Sequence, residues 1–132
     1  MKFTCAVIMQ IVKQSEEVKF GEWDLPIGLS LSLTRIMDKI YQEQAAIEKQ
    51  RMKILKKYCK TNDKGEIEPD ENGNAKIEDM EGFEKDFKEL LEQEIEVDIK
   101  PLKLDMEKLE GINKKPREIA WMLPLLEIED EG

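Results

Sequence analysis

The sequence predicts a mainly α (α+β) fold: a long antiparallel helical hairpin, a β-hairpin at its tip, and a small base formed by the N- and C-terminal segments. Three observations predict it. Leu33, Ile40, Ile47 and Ile54 recur every seven residues, and no Gly or Pro interrupts the stretch from Leu29 to Lys60. Met80, Phe83, Phe87, Leu90, Leu91 and Ile95 fall at three- and four-residue spacing in a second stretch. Between them, Asn72-Gly73 separates two short segments. Spacing near 3.6 residues marks an amphipathic helix, and Asn-Gly accepts the positive φ of a tight hairpin turn. The chain, 1–132, reads as one domain, with 1–28 and 98–132 as base and 29–97 as arm.

Taken in order, Phe3 to Val12 is an apolar run that reads as a short helix with Thr4 as its cap and a polar tail from Gln14 to Glu17. Val18 to Leu29 reads as a packed loop in which Trp23 covers the base of the arm. The first long helix then runs from Leu29 to Lys60, a rod of roughly 45 Å at about 1.5 Å per residue. Ser30 or Ser32 is its expected N-cap, and it ends near Asn62 and Gly65. The β-hairpin spans about 66–78, with Glu66 to Glu68 facing Ala75 to Glu78.

The return helix runs from about Asp79 to Val97 and is the shorter of the two. It covers only the C-terminal half of its partner, so the chain ends must bury Leu33, Ile36, Met37 and Ile40. Charge selects the same pairing. Lys49, Arg51, Lys53, Lys56, Lys57 and Lys60 have no acid among them, whereas the return helix carries Glu81, Glu84, Asp86, Glu89, Glu92 and Glu94. Beyond it, Ile95, Val97 and Ile99 alternate with charged residues as in a half-buried strand closed at Pro101 and resuming at Leu102 to Leu104. Leu104 to Leu109 forms a turn of helix broken at Gly111. Pro116 opens a last helix that Pro124 ends, before an acidic tail from Glu127 to Gly132.

Composition bounds the function. Net charge is −9 and pI about 4.7, with 39% charged residues, so phosphate backbones and anionic lipid are repelled by the chain as a whole. No stretch is long enough to span a bilayer, and no cleavable leader is evident. The two cysteines, Cys5 and Cys59, suit a reducing cytoplasm and are expected to stay unpaired.

Histidine is absent, which removes His-activated nucleophiles and His-containing zinc sites. Gly-rich phosphate loops are also absent. The residues nominate no catalytic, cofactor-binding or metal-ligating set. Asp70, Asn72, Asn74, Ile77 and Glu81 can be laid on positions one, three, five, eight and twelve of an EF-hand loop. Ala75 stands where the turn wants Gly, and Pro69 precedes the loop, so the plain hairpin is the expectation. The basic run from Lys49 to Lys60, with Tyr58 as a stacking ring, has a nucleic-acid reading, but helix-to-helix charge pairing is favoured.

Leu25-Pro26-Ile27 to Thr34-Arg35, Ile54 to Tyr58, Asp63-Lys64-Gly65 through Asn74, Phe83 to Leu91 and Pro116 to Leu126 together resemble a family of small proteins of uncharacterised activity. Tailed phages and prophages, chiefly of Gram-positive bacteria, encode that family. Lys115 stands where such sequences carry a Ser or Thr cap, and Pro124 interrupts the last helix. The resemblance implies a virus-encoded protein acting in the cytoplasm of a bacterial cell. The layout is also similar in shape to prefoldin subunits, by analogy of form alone.

The expected function is that of a non-enzymatic interaction protein that self-associates and binds a host or phage protein through the arm or base. The alternatives are an anti-defence protein that sequesters a small ligand or nucleotide, or an acidic mimic of nucleic acid. A carboxylate-dependent metalloenzyme ranks last.

Overall fold

The computed structural model describes residues 1–69, 71–74 and 76–128. It is mainly helical, with two small two-stranded sheets. Strand β1 (Lys2–Thr4) leads directly into helix α1 (Cys5–Glu17), and the Thr4 hydroxyl accepts from the Val7 N–H at 3.2 Å as the expected cap. Ile8, Ile11 and Val12 are buried on one face of α1. Lys19, at φ 52°, turns the chain into a 3₁₀ turn at Phe20–Glu22.

Helix α2 (Ile27–Tyr58) has 32 residues and starts two residues before the sequence suggests. Pro26 takes the N-cap place, with no side-chain cap, and its carbonyl accepts from the Ser30 N–H at 2.9 Å. Ser30 and Ser32 therefore lie inside the helix. Proline's fixed φ suits that boundary, so no hydroxyl is needed to start the first turn. At the other end Cys59 is extended, and Lys60 donates to the Lys76 carbonyl at 3.0 Å, which stops the helix short of Lys60.

The expected β-hairpin at 66–78 takes another form. Isolated bridges join Cys59 to Ile77 and Thr61 to Ile67, so the segment leaving α2 is shared between both arms of the turn region. The reversal nearer α2 is built by Asn62, whose side-chain oxygen accepts from the Lys64 and Glu66 N–H groups, with Gly65 at φ 77°. Gly73, at φ 81°, makes the second turn, beyond which the Lys76 N–H meets the Glu68 carbonyl at 3.4 Å. The free backbone edge after α2 competes for the same donors and acceptors that a simple hairpin would use. Asp70 and Ala75 lie outside the described residues.

Helix α3 (Met80–Glu92) begins at Asp79, whose carboxylate accepts from the Gly82 N–H at 3.0 Å. It packs against α2, where Ile47 and Leu55 are buried and Ile54, Phe83 and Phe87 are half-buried. The Phe83 and Phe87 rings stack at 5.7 Å. The helix ends at Glu92, short of the expected Val97. Gln93 is extended and its carbonyl accepts from the Cys5 N–H at 2.9 Å, so β1 captures the chain. Strand β2 (Glu94–Glu96) then pairs antiparallel with β1, Phe3 opposite Ile95.

Strand β3 (Leu102–Leu104) belongs to a different sheet, parallel to β4 (Leu126–Ile128). Between them lie α4 (Met106–Gly111) and α5 (Pro116–Ile119). Pro116 is the first residue of α5, as expected, and the Glu118 carboxylate reaches back to the Lys115 N–H at 3.3 Å. The last helix is shorter than expected and continues as a 3₁₀ helix, Ala120–Leu125, with Pro124 inside it. Proline lacks the N–H an α-helical bond needs, and the tighter turn carries the chain through. Glu127 is in β4, and residues 129–132 of the predicted tail lie outside the described residues.

The main core sits where α1, the N-terminal half of α2 and the C-terminal segment meet. Ile8, Leu33, Ile40, Met122 and Leu125 have no measurable exposure there. The chain ends thus bury the stripe along the N-terminal half of α2, with Leu90 of α3 packed against the same cluster. Trp23 covers this core beside Trp121, its indole donating to the Val18 carbonyl at 3.1 Å. Among the described residues no helix is long and apolar enough to cross a membrane.

Candidate interaction surface

Among the described residues no three Cys, Asp or Glu side chains converge in a way that could hold a metal ion. Asp70 and Ala75 of the EF-hand register lie outside the described residues, and Glu81 is exposed in the first turn of α3. Cys5 and Cys59 are free and buried. Burial pushes both thiols up, and Glu43 and Glu78 add in the same direction, which leaves little thiolate at neutral pH.

The basic run on α2 divides into two populations. Three cations are engaged inside the molecule. Arg51 grips Glu48 of its own helix through two nitrogens at 2.6 to 3.1 Å, a departure from the cross-helix pairing the sequence suggests. An i,i+3 partner on the same helix is already in place and needs no second element to be positioned. Lys57 does reach α3, meeting Asp86 at 3.2 Å, and Lys60 stands 3.9 Å from Glu68.

Lys49, Lys53 and Lys56 form the second population. They stand at i, i+4 and i+7 on the exposed face of α2 and make no ion pair among the described residues. Beside them Ala45, Ala46 and Met52 contribute to a shallow groove of about 580 Å³. Met52 keeps 36% of its surface exposed. Alanines here leave the helix backbone approachable, and the lysine stems extend the apolar floor while holding their charges at its edge. The groove is open to solvent rather than enclosed.

Next to the ridge, Asp86 fixes the two helices together. Its carboxylate accepts from the Tyr58 hydroxyl at 2.7 Å and from the Lys57 ammonium. The Tyr58 hydrogen bond first, and the Lys57 bond and charge second, hold the Asp86 carboxyl below the usual carboxylate range. A depressed folded-state value stabilises the fold above the unfolded carboxylate pKa and loses that effect as pH falls through the folded value. A carbon-detected NMR titration is expected to place the Asp86 midpoint below about 3.9, the ordinary Asp value. Tyr58→Phe should raise that midpoint, and a titration unchanged by Tyr58→Phe would remove the assigned cause.

A second concavity lies at the base, where Pro26, Leu29, Leu102 and Leu104 with Lys103 and Lys108 surround about 430 Å³. Sequence reading does not find it. Its walls come from the start of α2, from β3 and from α4, and no local spacing links those positions. The ridge, by contrast, is visible in the sequence as a run of cations without acids, although the sequence assigns all of it to internal pairing. Comparison with protein families, with curated proteins and with solved structures finds no match to this chain.

Proposed function

We propose that this chain is a non-enzymatic interaction protein, phage-encoded and acting in the bacterial cytoplasm, that binds a protein partner through an antiparallel helical arm made of α2 and α3. The phage origin rests on the sequence resemblance. The arm is supported by the Tyr58–Asp86 and Lys57–Asp86 contacts and by the Glu78 N–H donating to the Tyr58 carbonyl at 2.8 Å, which turn the chain back at the end of α2.

The observation that carries the reading is the ridge. Three lysines in register flank an apolar floor and make no ion pair among the described residues. Exposed charge beside exposed methionine and alanine is the composition of a contact face, where the apolar part supplies affinity and the charges supply orientation. Replacing Met52 by a photo-reactive residue and irradiating producing cells is expected to give a discrete protein adduct. Lys49→Glu, Lys53→Glu and Lys56→Glu together should abolish it. Recovery of no protein adduct from Met52 or Lys53 would overturn the reading.

A second reading, capture of a small anionic ligand such as a nucleotide, is favoured by the base cavity. Lys103 and Lys108 line it together with Leu29, Leu102 and Leu104, a combination of cations and apolar wall that suits a phosphate-bearing ring compound. A thermal-shift screen against nucleotides is the measurement. A rise of several degrees with one nucleotide, lost in Lys103→Ala with Lys108→Ala, would place this reading first.

A further inference from the structure

The order of charge along the arm points to the partner. Lys49 to Lys60 holds six cations and no acid, and the next stretch, Asp63 to Glu81, holds eight acids against Lys64 and Lys76. Asp63, Glu66, Glu71, Glu78 and Asp79 of that stretch are exposed at the end of α2. The α2 side of the arm, basic along one length and acidic along the next, is complementary to itself in one arrangement, while the acids of α3 lie on the other side. Turned by a two-fold axis crossing the arm, the acidic tip of one copy overlies the basic ridge of another, twice over. A parallel overlay sets like charge on like.

We infer that the ridge receives a second copy of this chain, antiparallel, with the acidic tip of each arm seated on Lys49, Lys53 and Lys56 of the other. This rests on the reading of the arm as a protein-contact surface and names its occupant. Two-fold pairing closes the contact, since each copy offers both halves of it. Charge sets the register, while apolar surface adds to the hold: Met52 lies in the ridge groove, and Met80, at the tip end of α3, is 51% exposed. The net charge of −9 on each copy opposes approach at long range. At physiological ionic strength that repulsion is screened beyond about 8 Å, whereas matched charges in contact are screened less.

The test is the mass of the full chain by light scattering and sedimentation at 0.15 M and 0.5 M salt, over a range of protein concentrations. A dimer that weakens at the higher salt is expected. Lys49→Glu, Lys53→Glu and Lys56→Glu together should weaken it by about tenfold or more, since several exposed pairs of modest strength are reversed at once. Glu66→Lys, Glu71→Lys and Glu78→Lys together should do the same. Mixed in equal amounts, the two variants should pair better than either alone, because the unchanged ridge meets an unchanged acidic tip and the reversed ridge meets a tip whose excess of acids has been cancelled. Circular dichroism of each variant separates loss of pairing from loss of fold.

A wild-type monomer at every concentration, a dimer indifferent to both sets of changes, or a monomer whose ridge binds a DNA oligonucleotide would each overturn the inference. A monomeric chain whose Met52 still cross-links to a different protein would overturn only the second-copy assignment and leave the interaction reading standing.

Discussion

Trp121→Ala is expected to destabilise the protein by about 3–5 kcal/mol, the usual cost of deleting a buried large aromatic side chain. Trp121 is 2% exposed and packs at 5.3 Å from Phe20 and 6.2 Å from Trp23, so it joins the C-terminal segment to the turn after α1. A domain of this size is stabilised by only about 5–15 kcal/mol, and the loss is therefore a large share of the whole. Its indole N–H has no acceptor among the described residues, so the expected effect is one of packing. Trp121→Phe, which retains a ring, should cost clearly less. Urea unfolding followed by circular dichroism measures both, and an alanine variant within 1 kcal/mol of wild type, by the size rule for core truncations, would show that the base is not held here.

Gly82→Ala is the second large effect, and its sign runs against helix propensity. Alanine in place of a helical glycine ordinarily gains up to about 1 kcal/mol, and Gly82 stands in the first turn of α3. At position 82 an added Cβ would stand 2.7 Å from Cε1 of Tyr58 and 2.5 Å from Oδ2 of Asp79. The Tyr58 ring is pinned by its hydroxyl bond to Asp86, and the Asp79 carboxylate caps α3, so neither can yield without breaking a contact. A net loss of about 1–3 kcal/mol is expected, as for other overpacked positions. Combining Gly82→Ala with Tyr58→Ala, which removes one of the two obstacles, should lower the cost of the glycine change relative to the Tyr58→Ala background. Equal costs in both backgrounds would show that the α2–α3 approach at Gly82 does not decide the effect.

Much of the local structure was legible because it depends on near neighbours. The Thr4 cap, the stripe through Leu33, Ile40 and Ile47, and Pro116 at the start of α5 all follow from relations within a turn or two of helix. Element ends were less legible. Ile95 continues the α3 spacing yet lies in β2, since the backbone of β1 offers that segment hydrogen bonds across the whole chain. The same limit applies to the candidate surface. The sequence displays the cations from Lys49 to Lys60, but separating those that form ion pairs among the described residues from the rest required knowing that Arg51 turns to Glu48 and Lys57 to Asp86. At the base, Lys103 and Lys108 give no signal at all until β3 and α4 are set against the start of α2.

By itself the sequence determined the mainly helical character, the two amphipathic stripes, the turn residues, the charge blocks and the absence of histidine chemistry. Tertiary structure alone decided where α3 stops, that β3 lies parallel to β4, how the segment leaving α2 divides its hydrogen bonds, and which lysines face outward. The physical reason is one of range. Helical periodicity and capping are fixed by atoms a few residues apart, whereas strand partners and ion pairs are chosen among distant segments whose energies differ by about a kilocalorie per contact. Only the packed chain resolves differences that small.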